Sequence, residues 1–393
     1  MVSMTAFQTP AHAHAATSDA MRVGFLTIAP SPYIQDLFRV IAEDGRILPT
    51  VYYQELLSPA FDWKPSELPD YWTLLRSRTV NVMGARLFVS ASAIRTIAAS
   101  DYDAFVVGGY ASLTSQRLMR WLHRKKIPWV FWGEIPGYQN RGRIGRMMRK
   151  AAMRPAVRLC QGVAAVGQRA ADFYREAVGG RCPVASIPYY ADVSPFRNFI
   201  RPGRVSSGKP IDVLFCGQLV ERKGVVQLFH AMLLLMKSFD VRLTLLGRGE
   251  LESQLKAMIP AGFEDRFCFP GFRQTDELPG FFATADVFVL PSLHDGWGVV
   301  VNQALAAGLP IVSTDAVGAA VDLVQDGVNG RIVPAGDESA LHQALEELIQ
   351  DPSKRAAWGL ESRKISDAWS PAEEARRWVT LLELVIDRGQ TVP

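Results

Sequence analysis

Short runs of aliphatic, β-branched or aromatic residues recur along the whole chain, and Gly, Pro or Asp bounds each run. Helical patterns lie between most of them, an alternation that is typical of parallel strands joined by helical crossovers. The predicted strands of the first half are 23–28, 49–53, 104–107, 129–132, 163–166 and 184–187. Those of the second half are 213–216, 243–246, 267–269, 287–290, 311–314 and 331–333. The pattern therefore predicts an α/β protein.

A segment rich in Gly, Pro and Ser, PGRVSSGKP at 202–210, lies between the two halves and has the composition of a linker. We expect a disordered leader at 1–20, a first domain at 21–200, a linker at 201–210 and a second domain at 211–368. A helix predicted at about 371–387 is too apolar for a free tail, so the segment 369–393 is expected to cross back to the first domain. Because ligands of open α/β sheets bind at the carboxyl ends of strands, we expect the active site between the two domains.

The composition is that of a globular protein, since 48% of the 393 residues are hydrophobic and 21% are charged. No apolar run is long enough to cross a bilayer, and the first 20 residues lack the apolar core of a secretory signal. The four cysteines show no CxxC spacing, which argues against a disulfide framework or a zinc site and favours a reducing compartment. We therefore expect a cytoplasmic protein.

The segment 214–224, LFCGQLVERKG, ends a predicted buried strand at Gly217 and places Arg222 and Lys223 in the loop before a helix. A glycine lets a phosphate approach the backbone, and a cation beside a helix N-terminus suits an anion. An ordinary strand–turn–helix with solvated charges explains this segment equally well.

The segment 290–310, LPSLHDGWGVVVNQALAAGLP, again runs from a strand through a Gly-rich loop into a helix. Free amides of the loop and of the first helical turn are expected to face the cleft with the positive end of the helix dipole. Asp295 and Gln303 are eight positions apart, so one is placed to reach a sugar and the other a ribose. In the alternative interpretation Gln303 faces solvent and Asp295 only forms a turn.

From Leu214 to about Leu348 the chain resembles the family 4 retaining glycosyltransferases, which have the GT-B fold of two Rossmann-like domains facing across a cleft. The resemblance is carried, in order, by GQLVERKG (217–224), LLGRGE (245–250), FPGFRQTDELPGFFATADVFVLPS (269–292), HDGWGVVVNQALAAGLP (294–310) and DLVQDGVNGRIVP (322–334). In the first domain it is limited to IPYYADVSPF (187–196), which stands where the family usually has a Pro-Asn-Gly-Val-Asp type strand exit.

The resemblance implies roles for individual residues. Lys223 would neutralise the donor diphosphate, and the amides of the loop Gly296, Trp297 and Gly298 would grip the same group and the transferred sugar. Asp295 and Gln303 occupy the two ends of the family's E-x7-E motif and would face the donor sugar and the ribose, respectively. Glu134, near where many members place a His, would face the donor sugar as a third catalytic candidate. The other donor-binding candidates are Gly217, Gln218, Arg222, Gly247, Phe272 and Arg273, of which the last two stand where the nucleobase is usually held.

Three of these positions depart from the family pattern. Asp295 is one methylene shorter than the usual Glu, Gln303 is neutral, and Gln218 stands where many members have a diphosphate-binding Arg. Loss of one such donor typically costs about 3 kcal/mol of transition-state stabilisation. Arg222 and Arg248 are candidates to replace it, and the departures leave donor identity and rate open.

In the implied reaction, cleavage of the anomeric bond puts charge on the diphosphate, which Lys223 and the loop amides would bind better than the ground state. Members of the family retain the anomeric configuration by front-face attack, in which the departing phosphate oxygen helps take the acceptor's proton. No double-displacement carboxylate pair is then needed. The chain has no DxD-type motif in a suitable loop. We therefore expect a reaction without metal or cofactor, with the nucleoside diphosphate sugar as donor substrate.

The first domain is expected to bind the acceptor. Its first strand is followed by Ala29-Pro-Ser-Pro-Tyr33, which lacks the glycines of a dinucleotide fingerprint and so argues against a nicotinamide dehydrogenase. Tyr33 and Gln35 are candidates to line an acceptor pocket, although the same residues are explained by a turn that starts a helix.

The segment 141–158 is strongly basic and contains no acidic residue. As a helix it would carry an apolar stripe of Met147, Met148, Ile144 and Ala151, and Pro155 is expected to end or kink it. Such a helix suits an anionic membrane surface or a diphosphate-linked lipid, and the alternative is a solvated helix packed on the core. No groove-reading motif accompanies the charge, so nucleic acid is not an expected partner. Its basic residues are Arg141, Arg143, Arg146, Arg149, Lys150, Arg154 and Arg158.

The sequence thus favours a retaining glycosyltransferase that moves a hexosyl unit from a nucleoside diphosphate sugar to a glycan or polyprenyl-linked acceptor, in cell-surface polysaccharide or glycolipid synthesis. Its expected place is the cytoplasm, with contact to the inner face of the plasma membrane. Two alternatives remain: a degenerate, non-catalytic sugar-nucleotide-binding protein and a GT-B-like sugar-nucleotide epimerase.

Overall fold

The computed structural model describes residues 20–56, 63, 69–82, 85–137, 142–198 and 209–391. The predicted leader up to residue 19, the predicted linker up to residue 208 and Arg141 lie outside the described residues.

The strands of the first domain are β1 (Met21–Thr27), β2 (Ile47–Tyr53), β3 (Trp72–Leu74), β4 (Arg78–Val82), β5 (Ala85–Val89), β6 (Ala104–Gly108), β7 (Trp129–Gly133), β8 (Gly162–Ala165) and β9 (Val184–Ser186). Within the described residues seven of them form a parallel sheet in the order β3-β2-β1-β6-β7-β8-β9, and β4 pairs with β5 as an antiparallel hairpin. Its helices are α1 (Pro32–Asp44), α2 (Ala93–Ile97), α3 (Leu113–Arg124), α4 (Gly142–Leu159), α5 (Gln168–Val178) and α6 (Ser194–Arg197).

The strands of the second domain are β10 (Ile211–Cys216), β11 (Val241–Leu246), β12 (Phe267–Gly271), β13 (Val287–Leu290), β14 (Ile311–Thr314) and β15 (Gly330–Val333). In the described part of the chain they form a six-stranded parallel sheet in the order β12-β11-β10-β13-β14-β15. The helices are α7 (Val225–Leu235), α8 (Glu252–Ala257), α9 (Leu278–Thr284), α10 (Val300–Ala306), α11 (Gly318–Leu323), α12 (Glu338–Gln350), α13 (Pro352–Asp367) and α14 (Pro371–Thr391).

The strand order locates the ligand crevice in each sheet. Helices cover both faces of a parallel sheet, which is why the central strands are continuous apolar runs such as AFVV in β6 and VFVL in β13. The order of connections reverses between β1 and β6 in the first sheet and between β10 and β13 in the second. Ligands of such sheets bind where the order reverses, at the carboxyl ends of those strands. Both segments singled out for donor binding follow strands of the second pair.

Helix α14 follows the second domain in sequence but packs on helix α1 and on strands β6, β7 and β8 of the first domain. Trp378 is its fully buried anchor, with ring centroids 5.8 Å from Phe25 and 5.3 Å from Trp132. The apolar face of this helix therefore completes the core of the first domain.

Pro155 was expected to end or kink helix α4, and the first of these alternatives is wrong because the helix continues to Leu159. A proline inside a helix removes one N–H and pushes away the carbonyl four residues earlier. Here the neighbouring carbonyl of Ala152 accepts a hydrogen bond from Nε2 of Gln116, 2.6 Å away on the adjacent helix α3. Packing on α3 thus helps to keep the helix continuous.

Candidate active site

Lys223 and Asp295 meet at the point where the strand order of the second sheet reverses. Lys223 lies in a short 3-10 turn after β10 and Asp295 lies in the loop after β13. The Lys223 ammonium donates to Oδ2 of Asp295, and the two side chains are only 10% and 12% exposed. The structure therefore pairs two predicted catalytic residues in a buried ion pair that fixes the position of the ammonium.

A glycine at position 224 makes this pairing possible. Gly224 has φ 66°, a left-handed conformation that costs other residues energy, and a side chain there would collide with the carbonyl of Pro291. The close contact between the turn after β10 and the loop after β13 brings Lys223 to Asp295. The loops are linked a second time, since the carbonyl of Arg222 accepts a 2.8 Å hydrogen bond from the N–H of Leu293.

Arg222 and Gln218 lie side by side at the mouth of the turn. Nη2 of Arg222 donates to Oε1 of Gln218 over 2.8 Å, and Arg222 is half-buried rather than directed into solvent. Burial raises the pKa of Glu134 and lowers that of His294, and the Arg222 guanidinium is close enough to oppose the first shift and add to the second. Arg222 therefore lies beside Gln218, the position at which many members of the family have an arginine.

The loop Gly296–Gly298 faces the first domain. Within the described residues the backbone N–H groups of Gly296, Trp297 and Gly298 donate to no protein acceptor. The Trp297 side chain is 1% exposed and its Nε1 donates to Oδ1 of Asn302 over 3.0 Å, which anchors the loop from below. This predicted diphosphate loop thus combines a rigid buried support with free amides.

Gln303 lies in α10 with its side chain in the interior, only 6% exposed. Its Oε1 is buried and has no hydrogen-bond partner among the described residues. The alternative in which Gln303 faces solvent is therefore wrong. A buried amide oxygen without a partner costs about 1–3 kcal/mol, and the contact of Gln303 with a ribose stays a prediction.

Glu134 follows β7 in the first domain and faces the Gly296 loop across the cleft. A side chain at position 296 would collide with the Glu134 carboxylate. Many protein atoms surround that carboxylate, yet it opens onto the cleft and lines the cavity described below. The crowded surroundings raise its pKa, the charge of Asp295 adds to this, and a hydrogen bond from Tyr189 opposes it. Of the three predicted catalytic residues, Glu134 thus comes from the opposite domain.

The other predicted donor-binding residues lie at the carboxyl ends of β10, β11 and β12. The N–H of Gly217 donates to Leu246 O over 2.9 Å, and the N–H of Gly247 donates to Gly271 O over 3.0 Å. Gly247 has φ 145°, and any side chain there would overlap the carbonyl of Gly217. These two glycines therefore let three strand ends close together.

Phe272 and Arg273 extend this edge after β12. The Phe272 ring centroid lies 5.0 Å from that of Trp63 in the first domain. Nη1 of Arg273 is 3.5 Å from Oε1 of Glu277, and its guanidinium lies 5.9 Å from the Phe281 ring centroid. Phe272 is therefore positioned between the domains, whereas Arg273 is occupied by contacts within its own domain.

A cavity of about 520 Å³ lies in the first domain, beside Glu134 and at the carboxyl ends of β1, β2, β6 and β7. Tyr33 lines it, and burial raises the pKa of its hydroxyl to about 12. Gln35 is not among the lining residues, and its Nε2 instead donates to Pro30 O over 2.9 Å. Of the two acceptor-pocket candidates, only Tyr33 is therefore found in the cavity wall.

Two residues of this region were missed from the sequence. His294, beside Asp295, packs over Gly137 of the first domain, and burial lowers the pKa of its imidazole while Asp295 opposes the shift. Gln54 follows β2 and lies in the cavity wall. The signal for both was their place in the segment that follows a strand, since a parallel sheet binds ligands at that edge: Gln54 comes directly after β2, and His294 lies in the loop after β13.

Solved structures establish the fold class. Sucrose-phosphate synthase from Thermosynechococcus elongatus superposes with a TM-score of 0.73 over 94% of this chain and 100% of that chain, at 17% sequence identity. Anabaena HepE in complex with UDP superposes with a TM-score of 0.70 over 92% of this chain and 100% of that chain, at 18% identity. The two α/β sheets with a cleft between them are a GT-B fold, as the sequence predicted.

Sequence comparisons find similarity to glycosyltransferases in the second half of the chain. Residues 196–365 match the family Glycosyl transferases group 1. The lipopolysaccharide core biosynthesis glycosyltransferase LpsE of Rhizobium meliloti is 34% identical over 44% of this chain and 52% of its own length. The amylovoran biosynthesis glycosyltransferase AmsK of Erwinia amylovora is 34% identical over 36% of this chain and 37% of its own length. The chain thus spans about half or less of the length of these curated relatives. Residues 196–365 are therefore similar to the group 1 glycosyl transferases, and the resemblance to family 4 is consistent with these matches.

Proposed function

We propose that the protein transfers a hexosyl unit from a nucleoside diphosphate sugar to an acceptor held in the first domain, with retention at the anomeric carbon. The observation that carries this proposal is the juxtaposition across the cleft of the Lys223–Asp295 pair, the free amides of 296–298 and Glu134. The relatives named for lipopolysaccharide core and amylovoran biosynthesis support a role in cell-surface polysaccharide synthesis. The complex of HepE with UDP-glucose supports a nucleotide-sugar donor.

The second domain would hold the donor. As the anomeric bond breaks, negative charge grows on the diphosphate, and a fixed ammonium with preorganised amides stabilises that charge without reorganising. Lys223 is fixed in this way by Asp295, and Arg222 lies beside Gln218 to add a third group of donors. This arrangement reduces the effect of the missing arginine.

Retention is supported by the state of the two carboxyl groups. A double displacement needs a free carboxylate as nucleophile. Asp295 is paired with Lys223, and its surroundings raise the pKa of Glu134, which disfavours its ionised form. Front-face attack, in which the departing phosphate oxygen takes the acceptor's proton, uses neither group as a nucleophile and needs no metal ion.

The test is a panel of UDP- and GDP-sugars, with release of the nucleoside diphosphate as the rate measurement and the anomeric proton coupling of the product as the stereochemical one. Lys223→Ala is expected to lower kcat by about 10²–10³-fold, the usual effect of removing a transition-state donor. Lys237→Ala, an exposed lysine of the same domain, is the matched control and should be unaffected.

Four outcomes would each contradict a part of the proposal. Binding of a nucleotide sugar without turnover would favour the non-catalytic alternative, and interconversion of two nucleotide sugars without an acceptor would favour the epimerase. An inverted product would refute retention. Loss of rate in EDTA, restored by a divalent cation, would refute metal independence.

We further propose that helix α4 attaches the protein to an anionic membrane on the cytoplasmic side. Met147 and Met148 are 68% and 48% exposed, and Ala151 is also exposed, so these members of the predicted apolar stripe face solvent rather than the core. Arg146 and Lys150 are exposed on the same helix. No described helix has both the length and the apolar character needed to cross a bilayer. Exposed apolar side chains flanked by cations favour adsorption to the surface of an anionic membrane.

Flotation with phosphatidylglycerol vesicles tests this second proposal. The wild type is expected to float with these vesicles and not with phosphatidylcholine vesicles, and Arg146→Glu/Lys150→Glu should abolish flotation. The control Lys237→Glu/Lys364→Glu makes the same charge change at exposed sites of the other domain. Equal flotation of the two double variants would refute a role for α4.

A further inference from the structure

The first-domain cavity contains the buried side-chain amide of Gln54, for which no described residue provides a hydrogen-bond partner. Gln54 is 3% exposed and lines the cavity. Among the described residues neither Nε2 nor Oε1 of its side chain has a hydrogen-bond partner. Its backbone is fixed, since its N–H donates to the carbonyls of Thr27 and Ile28 at the end of the neighbouring strand β1.

A buried side-chain amide without hydrogen-bond partners lowers the stability of the folded protein. Buried side-chain polar groups are hydrogen-bonded in the large majority of cases, and each unsatisfied one costs about 1–3 kcal/mol. A side-chain amide offers donors through its nitrogen and an acceptor through its oxygen. A hydroxyl group can both donate and accept, so two neighbouring hydroxyls of a ligand would satisfy both ends of Gln54.

The side chains that line the cavity disfavour an anionic ligand at this position. Among the described residues that line it there is no Lys or Arg, and Glu134 is a carboxyl group in the same wall. A phosphate here would give up water without contacting a cation among these lining residues, which is unfavourable. Several aromatic rings also line the walls, among them Trp132, Tyr110 and Tyr189.

An isoprenoid chain would find apolar walls but would leave the amide of Gln54 unsatisfied. A sugar ring would suit the walls and the amide alike. Its hydroxyl groups would bind the Gln54 amide while its C–H groups would pack against the aromatic rings. We propose that this cavity binds an uncharged sugar ring of the acceptor and that Gln54 is the residue that selects it through a pair of hydroxyl groups. The inference rests on the proposed function and specifies its acceptor as the saccharide part of a glycan.

The test compares Gln54→Met, which keeps the length of the side chain and removes both hydrogen-bonding ends, with Gln35→Met. Gln35 is the matched control, since it lies near the same strand ends but is not a lining residue and donates to Pro30 O. The probes are methyl glycosides of glucose, galactose, mannose and N-acetylglucosamine, with inorganic phosphate and geraniol as the anionic and isoprenoid arms. Binding is measured by saturation-transfer NMR, and UDP is titrated into the same samples.

We expect at least one glycoside to bind the wild type and Gln54→Met to weaken it by about tenfold or more, the effect of losing about 1.4 kcal/mol. Gln35→Met should retain wild-type glycoside affinity, and UDP affinity should be the same in all three proteins. The inference is overturned if phosphate or geraniol alone binds, if no glycoside binds, or if Gln54→Met binds the glycoside as tightly as the wild type. Failure of UDP to bind any of the three proteins would count against the proposed donor function instead, and selective loss of the glycoside in Gln54→Met would still support the cavity assignment.

Discussion

Glu374 on helix α14 is buried in the contact between this helix and the first domain, where it is 2% exposed. Burial raises the pKa of its carboxyl group to about 8, and the nearby Arg377 only partly opposes that shift. In the unfolded chain the same group titrates near 4.5. The folded protein therefore binds one proton more than the unfolded chain between these two pH values.

The sign and size of the effect follow from this difference. Where the folded state binds more protons, the free energy of unfolding falls as pH rises. Each unit of pKa difference corresponds to 1.36 kcal/mol. The loss therefore starts near pH 4.5, grows by about 1.4 kcal/mol per pH unit and levels off above pH 8, with an upper bound of about 5 kcal/mol.

The substitution Glu374→Gln keeps the shape of the side chain and introduces an amide that cannot ionise, so it should remove this loss. In thermal unfolding followed by circular dichroism, we expect Tm of the variant to exceed that of the wild type by a margin that increases from pH 6 to pH 9. At pH 4 the margin should be smallest. The control is Glu373→Gln, one position earlier, where pairing with Arg376 and Arg377 lowers the pKa to about 2. That variant should gain no stability at high pH. A pH-independent margin for Glu374→Gln would refute the reasoning.

Three further predictions concern the cleft. Gly296→Ala should abolish most turnover and weaken nucleotide binding, because the new methyl group meets the Glu134 carboxylate. In a titration with UDP, the double variant Gly296→Ala/Glu134→Ala should recover the nucleotide affinity. Trp297→Phe should lower the free energy of unfolding by about 1–3 kcal/mol, since it loses a buried hydrogen bond; an unchanged urea midpoint would contradict this. Lys223→Met should cost about 3–5 kcal/mol of stability by leaving Asp295 buried and unpaired, and Lys223→Met/Asp295→Leu should restore stability but not activity.

The parallel strands were predictable because strands covered on both faces are continuous apolar runs. The predicted bounds 287–290 and 311–314 coincide with β13 and β14, and the other ten strands that were predicted differ from the observed ones by up to two residues at either end. Strand β3 and the hairpin β4–β5 were missed. β3 is only three residues long, and β4 has the alternating sequence RTVNV, so neither presents a continuous apolar run.

The donor-side candidates could be named residue by residue because their glycines and charges lie in two continuous segments of the sequence, and their roles in binding stay predictions. The contacts between these residues could not be predicted. The contact of Lys223 with Asp295 joins residues 72 positions apart, and it depends on how closely the two loops approach. Gln54 could not be identified from the sequence. Its proposed role depends on the absence of hydrogen-bond partners for its amide among the described residues, and that absence is visible only once several strand ends are packed together.

The return of helix α14 to the first domain has a consequence for synthesis of the protein. A domain usually folds as its own segment leaves the ribosome, the N-terminal one first. Here Trp378, which fills the core between Phe25 and Trp132, is translated only after the whole second domain. The apolar groove of the first domain that Trp378 fills therefore stays uncovered until the second domain and helix α14 have been translated. A chaperone that covers this groove during translation would act on the first domain, which is translated first but completes its core last.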